Sequence, residues 1–304
     1  MSERLQPKAV YTGIVFAILA TIIWSGNFVV ARGVINQIPP FSLAFYRWLT
    51  ASVIIFPLAF RKFEAEKTIV IRNWKYFFWV SLTGITFFNT LIYIAGHYSP
   101  AINLALIGTT SSPVFAVVLA AIFLKDKIKL LRIFGMAICI SGIIILLSGG
   151  SLQRLINFHF STGDLWVLAA ALSFAIYNTL VRKKPAYISA VNFLFVVFSF
   201  GTLLLLPFFI WEVLNTDSIA WDWNLVFIII YLGLGASVIC YLLWNGAIAR
   251  LGSPRTALFG NLIPIFSTLE AVWILNEEIT LIHIISGLLV VTGLIIANLR
   301  KSNS

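Results

Sequence analysis

The sequence contains few charged residues, and this scarcity excludes most soluble folds. Only 11% of its 304 residues are Asp, Glu, Lys or Arg, whereas 60% are hydrophobic and the mean hydropathy is +0.99. A soluble domain carries about 25% charged residues. So much apolar side chain cannot be buried in one aqueous core. The lipid bilayer is therefore predicted to be the main solvent of this chain.

Histidine, acidic residues and cysteine are also scarce, which argues against an enzyme or a metal protein. The chain has 3 His and 11 acidic residues, and it lacks the glycine-rich loop with Lys-Ser/Thr that binds nucleotide phosphates. Its two cysteines, Cys139 and Cys240, lie in separate apolar runs and form no C-x-x-C pair, so structural thiols are predicted. We expect no enzymatic activity, no metal and no cofactor.

Apolar runs long enough to span a membrane make up most of the chain. They fall at about 10–31, 41–60, 74–95, 101–124, 130–148, 163–181, 189–211, 223–244, 254–275 and 281–299. Backbone polar groups in lipid must be satisfied within the chain, so each run is predicted to be a helix. The predicted fold class is an all-α integral membrane protein with ten transmembrane helices.

The distribution of basic residues predicts how these helices are oriented. If the N-terminus is cytoplasmic, all 21 basic residues except Arg32, Arg47 and Arg154 fall at cytoplasmic helix ends and loops. This asymmetry follows the positive-inside rule, so both termini are predicted to be cytoplasmic. The net charge of +10 then reflects topology, and no nucleic-acid partner is expected. We expect a multi-pass protein of the cell inner membrane.

The chain also contains a repeated sequence. The run that begins at Pro113 matches, without a gap, the run that begins at Pro264, and an acidic residue (Asp126 or Glu277) lies at the same place in each. Because a unit of five helices ends on the opposite side of the bilayer, the second copy must be inverted relative to the first. The predicted repeats are 1–150 and 151–304.

Short motifs in the first two spans and around the repeat resemble a known family. The motifs are Trp24-Ser-Gly-Asn27-Phe, Phe45-Tyr-Arg47-Trp-Leu-Thr-Ala, the Pro113 and Pro264 runs with their acidic residues, and Gly135, Gly142, Gly287 and Gly293. Together they resemble the EamA-type family of the drug/metabolite transporter superfamily over nearly the whole chain. The resemblance implies an inverted-repeat bundle whose central cavity moves amino acids and other small metabolites. It also implies that the fifth and tenth helices lie away from that cavity.

Polar groups deep inside the spans are the candidates for a substrate site, because burying one in hydrocarbon without a partner is costly. The candidates are Trp24, Asn27, Asn89, Tyr93, Tyr177, Asn178, Tyr241, Trp244, Asn245, Asn261 and Glu270. Aromatic faces combined with amide groups suit a small amphipathic or zwitterionic solute. The alternative is that these residues join helices through buried hydrogen bonds. For the set as a whole we favour a cavity.

Two ionisable residues, Arg47 and Glu270, lie inside predicted spans, and such residues mark functional sites by default. Their equivalents in the other repeat are the apolar Val197 and Leu119. Glu270 is predicted to bind a substrate amine or to couple transport to protons. Arg47 is predicted to take part in coupling or gating, or to have a general structural role. The alternative for the two residues is an ion pair that holds the outer half of the bundle together.

These features predict a secondary-active transporter of small metabolites, with amino acids or related amphipathic solutes as the favoured substrates. Alternating access would operate through a central cavity between the two repeats. The expected partners are a small-molecule substrate, the lipid bilayer and a coupling proton. A lipid or lipid-linked-sugar flippase and an uncoupled facilitator stay open as alternatives, because the same bundle could serve either.

Overall fold

The computed structural model describes residues 7–124, 130–153, 161–251, 256 and 259–298. These residues are mostly helical and include no β-strand, which agrees with the predicted all-α class. We label the helices in chain order. They are α1 (Pro7–Gly33), α2 (Pro40–Arg72), α3 (Trp74–Gly96), α4 (Ala101–Leu124), α5 (Leu130–Leu147), α6 (Thr162–Val181), α7 (Ala190–Asn215), α8 (Trp223–Leu251), α9 (Ile263–Leu275) and α10 (Leu281–Asn298).

Seven of these helices, α1 to α4 and α6 to α8, are long and apolar enough to cross a membrane. The other three contain shorter apolar stretches, Ile133–Leu146, Gly260–Leu275 and Leu281–Ile296. The chain is therefore a multi-pass membrane protein, whereas the total of ten spans stays a prediction. Asp126, one of the two acidic residues in the sequence match, lies outside the described residues.

Helix α2 is longer than the sequence pattern predicts, since it continues past residue 60 to Arg72. The added residues contain no Gly or Pro, and Lys, Arg, Glu and Ala are good helix formers. Their charged side chains are exposed except that of Glu66, and Lys67 pairs with Glu64 at 3.0 Å. A search for long apolar runs stops where the charged residues begin, so the extension was not predicted.

Local capping chemistry determines where other helices begin and end. The Ser161 hydroxyl accepts the Asp164 N–H, and the Asp164 carboxylate accepts the Ser161 N–H, both at 3.1 Å, so α6 begins with a capping box. The Asp222 carboxylate caps α8 by accepting the Leu225 N–H at 2.7 Å. Helix α9 ends at Leu275, and its C-cap residue Asn276 has a φ of 55°, in the left-handed region common at helix ends.

Helices α2 and α7 cap each other with glutamates. Glu212, near the end of α7, accepts the N–H of Ser42 at 2.6 Å at the start of α2. Glu66, near the end of α2, accepts the N–H of Ser189 at 3.0 Å and the side-chain amide of Asn192 at 2.7 Å. The first N–H groups of a helix lack intrahelical partners and favour negative charge. The two carboxylates therefore fix both ends of this helix pair.

A third glutamate connects α9 to α4. Glu277 follows α9, and its carboxylate accepts the N–H groups of Ala101 at 2.7 Å and Ile102 at 3.1 Å. The acidic residue that marks the sequence repeat thus caps a helix of the other repeat.

Helices α5 and α10 pack closely on each other and form a small hydrophobic cluster separate from the main core. A Cβ built on Gly142 would lie 2.9 Å from the Ser286 carbonyl oxygen, and one built on Gly293 would lie 2.6 Å from the Gly135 carbonyl oxygen. Only glycine permits backbones to approach so closely. The pair stands beside the rest of the bundle.

Helices α3 and α8 are each interrupted by a π-helical segment. The segments are Leu82–Phe87 and Tyr231–Ile239. They fall in the third and eighth helices, which are at corresponding places in the two predicted repeats. Such segments are frequent at functional sites because they rotate the residues that follow. The segment in α8 contains two of the site residues described below.

Candidate functional site

Arg47 lies at the centre of a buried polar cluster between α1, α2, α3 and α8. Its side chain is only 4% exposed. Nη1 donates to Asn89 Oδ1 and to the Tyr93 hydroxyl, each at 2.8 Å, and also to Asn27 Oδ1. Nε donates to Ser237 Oγ at 3.1 Å. We call these five residues the Arg47 cluster.

The other members of the Arg47 cluster are neutral, so the cluster keeps a positive charge. The Tyr93 hydroxyl accepts from Arg47 and donates to Asn27 Oδ1 at 3.1 Å, and Ser237 Oγ donates to the Leu232 carbonyl at 2.9 Å. Their oxygen lone pairs are therefore directed at the guanidinium. Oriented dipoles of this kind reduce the cost of burying a charge without neutralising it. The cluster can consequently attract an anionic group such as a carboxylate.

Glu270 of α9 contacts α1 and not Arg47. Its Oε1 lies 2.6 Å from Ser25 Oγ, and its Oε2 is buried without a hydrogen-bond partner in the described part of the chain. The ion pair with Arg47, considered as an alternative from the sequence, is not formed. Ser25 and Asn27 are two positions apart on α1 and face nearly opposite directions, so α1 separates the two ionisable groups.

The glycine at position 26 leaves room between Glu270 and Tyr231. A Cβ at Gly26 would overlap the Tyr231 hydroxyl and lie 3.5 Å from Glu270 Oε2. The Tyr231 hydroxyl donates its proton to the Ile23 carbonyl oxygen. Tyr231 therefore lies near the carboxyl group but has no proton left to donate to it.

Aromatic candidates come together between α1, α6 and α8. The Trp24 ring centroid lies 5.7 Å from that of Tyr241 and 5.2 Å from that of Trp244. Trp24 Nε1 donates to the Ala236 carbonyl at 2.9 Å, and Tyr177 interacts with Tyr241. We call Trp24, Tyr177, Tyr241 and Trp244 the aromatic group. It forms a largely apolar wall beside α1.

The remaining candidates lie outside both groups. Asn178 and Asn245 are exposed, and Asn261 is half-buried in the turn that precedes α9. A Cβ on Gly260, the residue before Asn261, would lie 3.9 Å from the Trp244 ring, so this turn borders the aromatic group.

Ser25, Tyr231 and Ser237 are site residues that the sequence analysis did not select. Ser25 lies inside the Trp24-Ser-Gly-Asn27 motif, and Ser237 lies four positions before the candidate Tyr241. That spacing was a usable signal for Ser237, since residues four apart share a helix face. No pattern in the sequence distinguishes Tyr231.

Comparison with known proteins gives a family match over both halves of the chain. The model of the EamA-like transporter family matches residues 11–148 and again residues 161–299. The two matches together cover most of the chain.

Relatives of known name cover almost the same length. An uncharacterized transporter of Archaeoglobus fulgidus is 24% identical, with 93% of this chain and 96% of the relative covered. A probable amino-acid metabolite efflux pump of Escherichia coli is 23% identical, with 93% of each chain covered. A solved crystal structure with 18% identity has a TM-score of 0.63 and covers 94% of this chain and 96% of that one, which shows a shared fold.

Proposed function

Because the chain belongs to the EamA-like transporter family, we propose that it is a secondary-active transporter of a small amphipathic or zwitterionic metabolite, such as an amino acid. The family and the named relatives are transporters, so the protein is a membrane transporter and not an enzyme. The efflux-pump name of the Escherichia coli relative supports the amino-acid class of substrate.

The observation that carries this proposal is the placement of two ionisable groups of opposite sign against one helix, neither of them in an ion pair among the described residues. Arg47 contacts α1 at Asn27, and Glu270 contacts α1 at Ser25, which lies about 3 Å away along the helix axis. The Arg47 cluster would bind the carboxylate of a zwitterion. The aromatic group would contact its apolar part and, through ring faces, its amine.

Glu270 is proposed as the coupling residue. An acidic group inside a span is expensive unless it serves a substrate or proton pathway. When neutral it would carry the coupling proton, and when ionised it would be ready to take up the next one. Because Glu270 is on α9 and its partner Ser25 is on α1, a change in the packing of these helices would alter its surroundings.

Alternating access between two inverted repeats, 1–150 and 151–304, is the proposed mechanism. The double family match supports the duplication, and so do the reciprocal caps of α2 and α7. The proposed location is the cell inner membrane, with both termini in the cytoplasm.

The substrate class can be found by thermal unfolding of the purified protein with amino acids, amines and nucleosides. A ligand that binds the folded state raises its stability by mass action. The ligand that raises the unfolding temperature most is then the labelled solute for transport in proteoliposomes. A positive response confined to lipids or lipid-linked sugars would contradict the metabolite proposal and favour a flippase.

Transport driven by a pH gradient tests the coupling role of Glu270. Wild type and Glu64→Gln, an exposed control, are expected to accelerate uptake when the gradient is imposed. Glu270→Gln is expected to fold normally and to lose the acceleration, because an amide cannot release a proton. Normal pH-dependent transport by Glu270→Gln would remove Glu270 from the mechanism. A wild-type protein that ignores the gradient would not be proton-coupled, which would favour the uncoupled facilitator.

A further inference from the structure

The Ser25 hydroxyl group has two oxygen neighbours at hydrogen-bond distance but only one proton. Ser25 Oγ lies 2.6 Å from the Ile22 carbonyl oxygen and 2.6 Å from Glu270 Oε1. A hydroxyl donates one hydrogen bond and accepts up to two, whereas a backbone carbonyl can only accept. Two oxygen pairs at this separation require two protons. Ser25 supplies one of them.

The Ile22 carbonyl group determines which of the two oxygens receives the Ser25 proton. Oxygen atoms approach to 2.6 Å only when a proton lies between them. Ile22 carries no proton on its carbonyl oxygen, so Ser25 must donate to Ile22, which is the common back-bond of a serine inside a helix. The contact between Ser25 and Glu270 then needs a proton from the carboxyl group.

The surroundings of Oε2, the other carboxyl oxygen of Glu270, independently indicate a protonated carboxyl group. Oε2 is buried and has no hydrogen-bond partner in the described part of the chain. A carboxylate carries its charge on both oxygens, so each is costlier to leave without a donor than the carbonyl oxygen of a neutral acid. The bare, buried Oε2 atom therefore favours the neutral form.

In the part of the chain that the structure describes, the groups around Glu270 offer no compensating positive charge. The Tyr231 hydroxyl of α8 is committed to Ile23, and Cys240 of α8 donates to the Ala20 carbonyl. Helix α4, which packs against α9, contains no ionisable residue between Ala101 and Leu124. Arg47 of α2 is held by its own cluster on the other face of α1.

We infer that Glu270 is a neutral carboxylic acid in this conformation and donates its proton to Ser25 Oγ. Ser25 is a positioning residue, because it orients the acid while its own proton goes to Ile22. The inference rests on the proposed function and deepens it by giving the protonation state of Glu270 in this conformation and the residue that holds its proton. When α9 moves relative to α1, the contact with Ser25 is lost, the O–H bond can dissociate, and the proton passes to water.

Infrared spectroscopy of the reconstituted protein at neutral pH tests this protonation state. Wild type is expected to show the C=O stretch of a protonated carboxylic acid, and Glu270→Gln to lack it. Ser25→Ala should shift the band to higher frequency, because the acid loses its acceptor, and Ser25→Thr should restore the frequency. Glu212→Gln, which removes a carboxylate bound by backbone N–H groups, should leave the band unchanged.

Absence of the band in wild type, or its persistence in Glu270→Gln, would overturn the inference. A band at the wild-type frequency in folded Ser25→Ala would overturn the role of Ser25. The band also separates this inference from the transport proposal. A Glu270 band without pH-driven transport would support the neutral acid and contradict its role in coupling. Transport driven by a pH gradient without the band would support proton coupling and contradict the neutral acid.

Discussion

Single residues decide the chemistry of this bundle, and Arg47 shows how. Its guanidinium uses two nitrogens, Nε and Nη1, whose three N–H groups are shared among four acceptors on three other helices. A planar fork with five donors can do this, whereas the ammonium group of lysine is a point charge on a flexible stem. The residue therefore organises α1, α2, α3 and α8 around one charge. The planar geometry of the Arg47 side chain matters as much as the sign of its charge.

Arg47→Lys is accordingly expected to destabilise the protein although the charge is kept. Some of the buried acceptors lose their donor, and each such loss costs about 1–3 kcal/mol. The free energy of unfolding in detergent should fall by roughly that amount, measured by denaturant titration. Arg61→Lys, at an exposed position of the same helix, is the matched control and should be neutral. Equal stability of the two variants would contradict the proposed organising role.

The sequence identifies the ionisable residues of the site but not their partners. Arg47 and Glu270 are conspicuous because a charge inside an apolar run is rare. Whether they meet depends on how each helix is rotated about its axis. Neighbouring positions such as Ser25 and Asn27 point to different helices, and only the packing of the whole bundle decides which.

At the scale of helices, the α5–α10 pair again shows what a sequence pattern can predict and what only the packing of the helices decides. The glycines of these helices are visible in the sequence, and they indicate close approach in general. The structure distinguishes among them. A Cβ on Gly293 would lie 2.6 Å from the Cys139 backbone nitrogen, whereas a Cβ on Gly287 would meet nothing closer than a Leu106 methyl group at 3.9 Å.

Gly293→Ala is therefore expected to lower stability, and Gly287→Ala is its matched control. The backbone atoms next to Gly293 cannot move aside, so the helices must separate, and overpacking of this kind costs about 1–3 kcal/mol. Thermal unfolding in detergent should show a clear loss for Gly293→Ala and little change for Gly287→Ala. Similar unfolding temperatures for the two variants would mean that the backbone contact does not support the pair.

Helix existence was predictable because long apolar runs have few alternatives in a bilayer. Helix ends and irregularities were not. The extension of α2 to Arg72 is interrupted by charged residues, so it contains no apolar run of spanning length. The π-helical segments of α3 and α8 lie inside continuous apolar runs, and the run itself does not mark them. The capping roles of Glu66 and Glu212 require partners about 120 to 170 residues away in sequence.

At the scale of the whole molecule, the orientation of the helices connects the charge pattern to the proposed mechanism. Helix α7 offers a direct test, because it is long enough to span and is flanked by loops of different charge. The segment before it holds Arg182, Lys183 and Lys184, whereas the segment after it holds Asp217 and Asp222 and no basic residue. The positive-inside rule assigns the first segment to the cytoplasm.

Labelling of single cysteines with a membrane-impermeant maleimide in intact cells measures this orientation. In a background without Cys139 and Cys240, Asp217→Cys is expected to react from outside. Tyr187→Cys, at a position 92% exposed before α7, should react only after the cells are permeabilised. Ser302→Cys in the C-terminal tail should behave like Tyr187→Cys. Reaction of Ser302→Cys from outside would place the tail across the membrane, and the two five-helix units could then not be related by inversion.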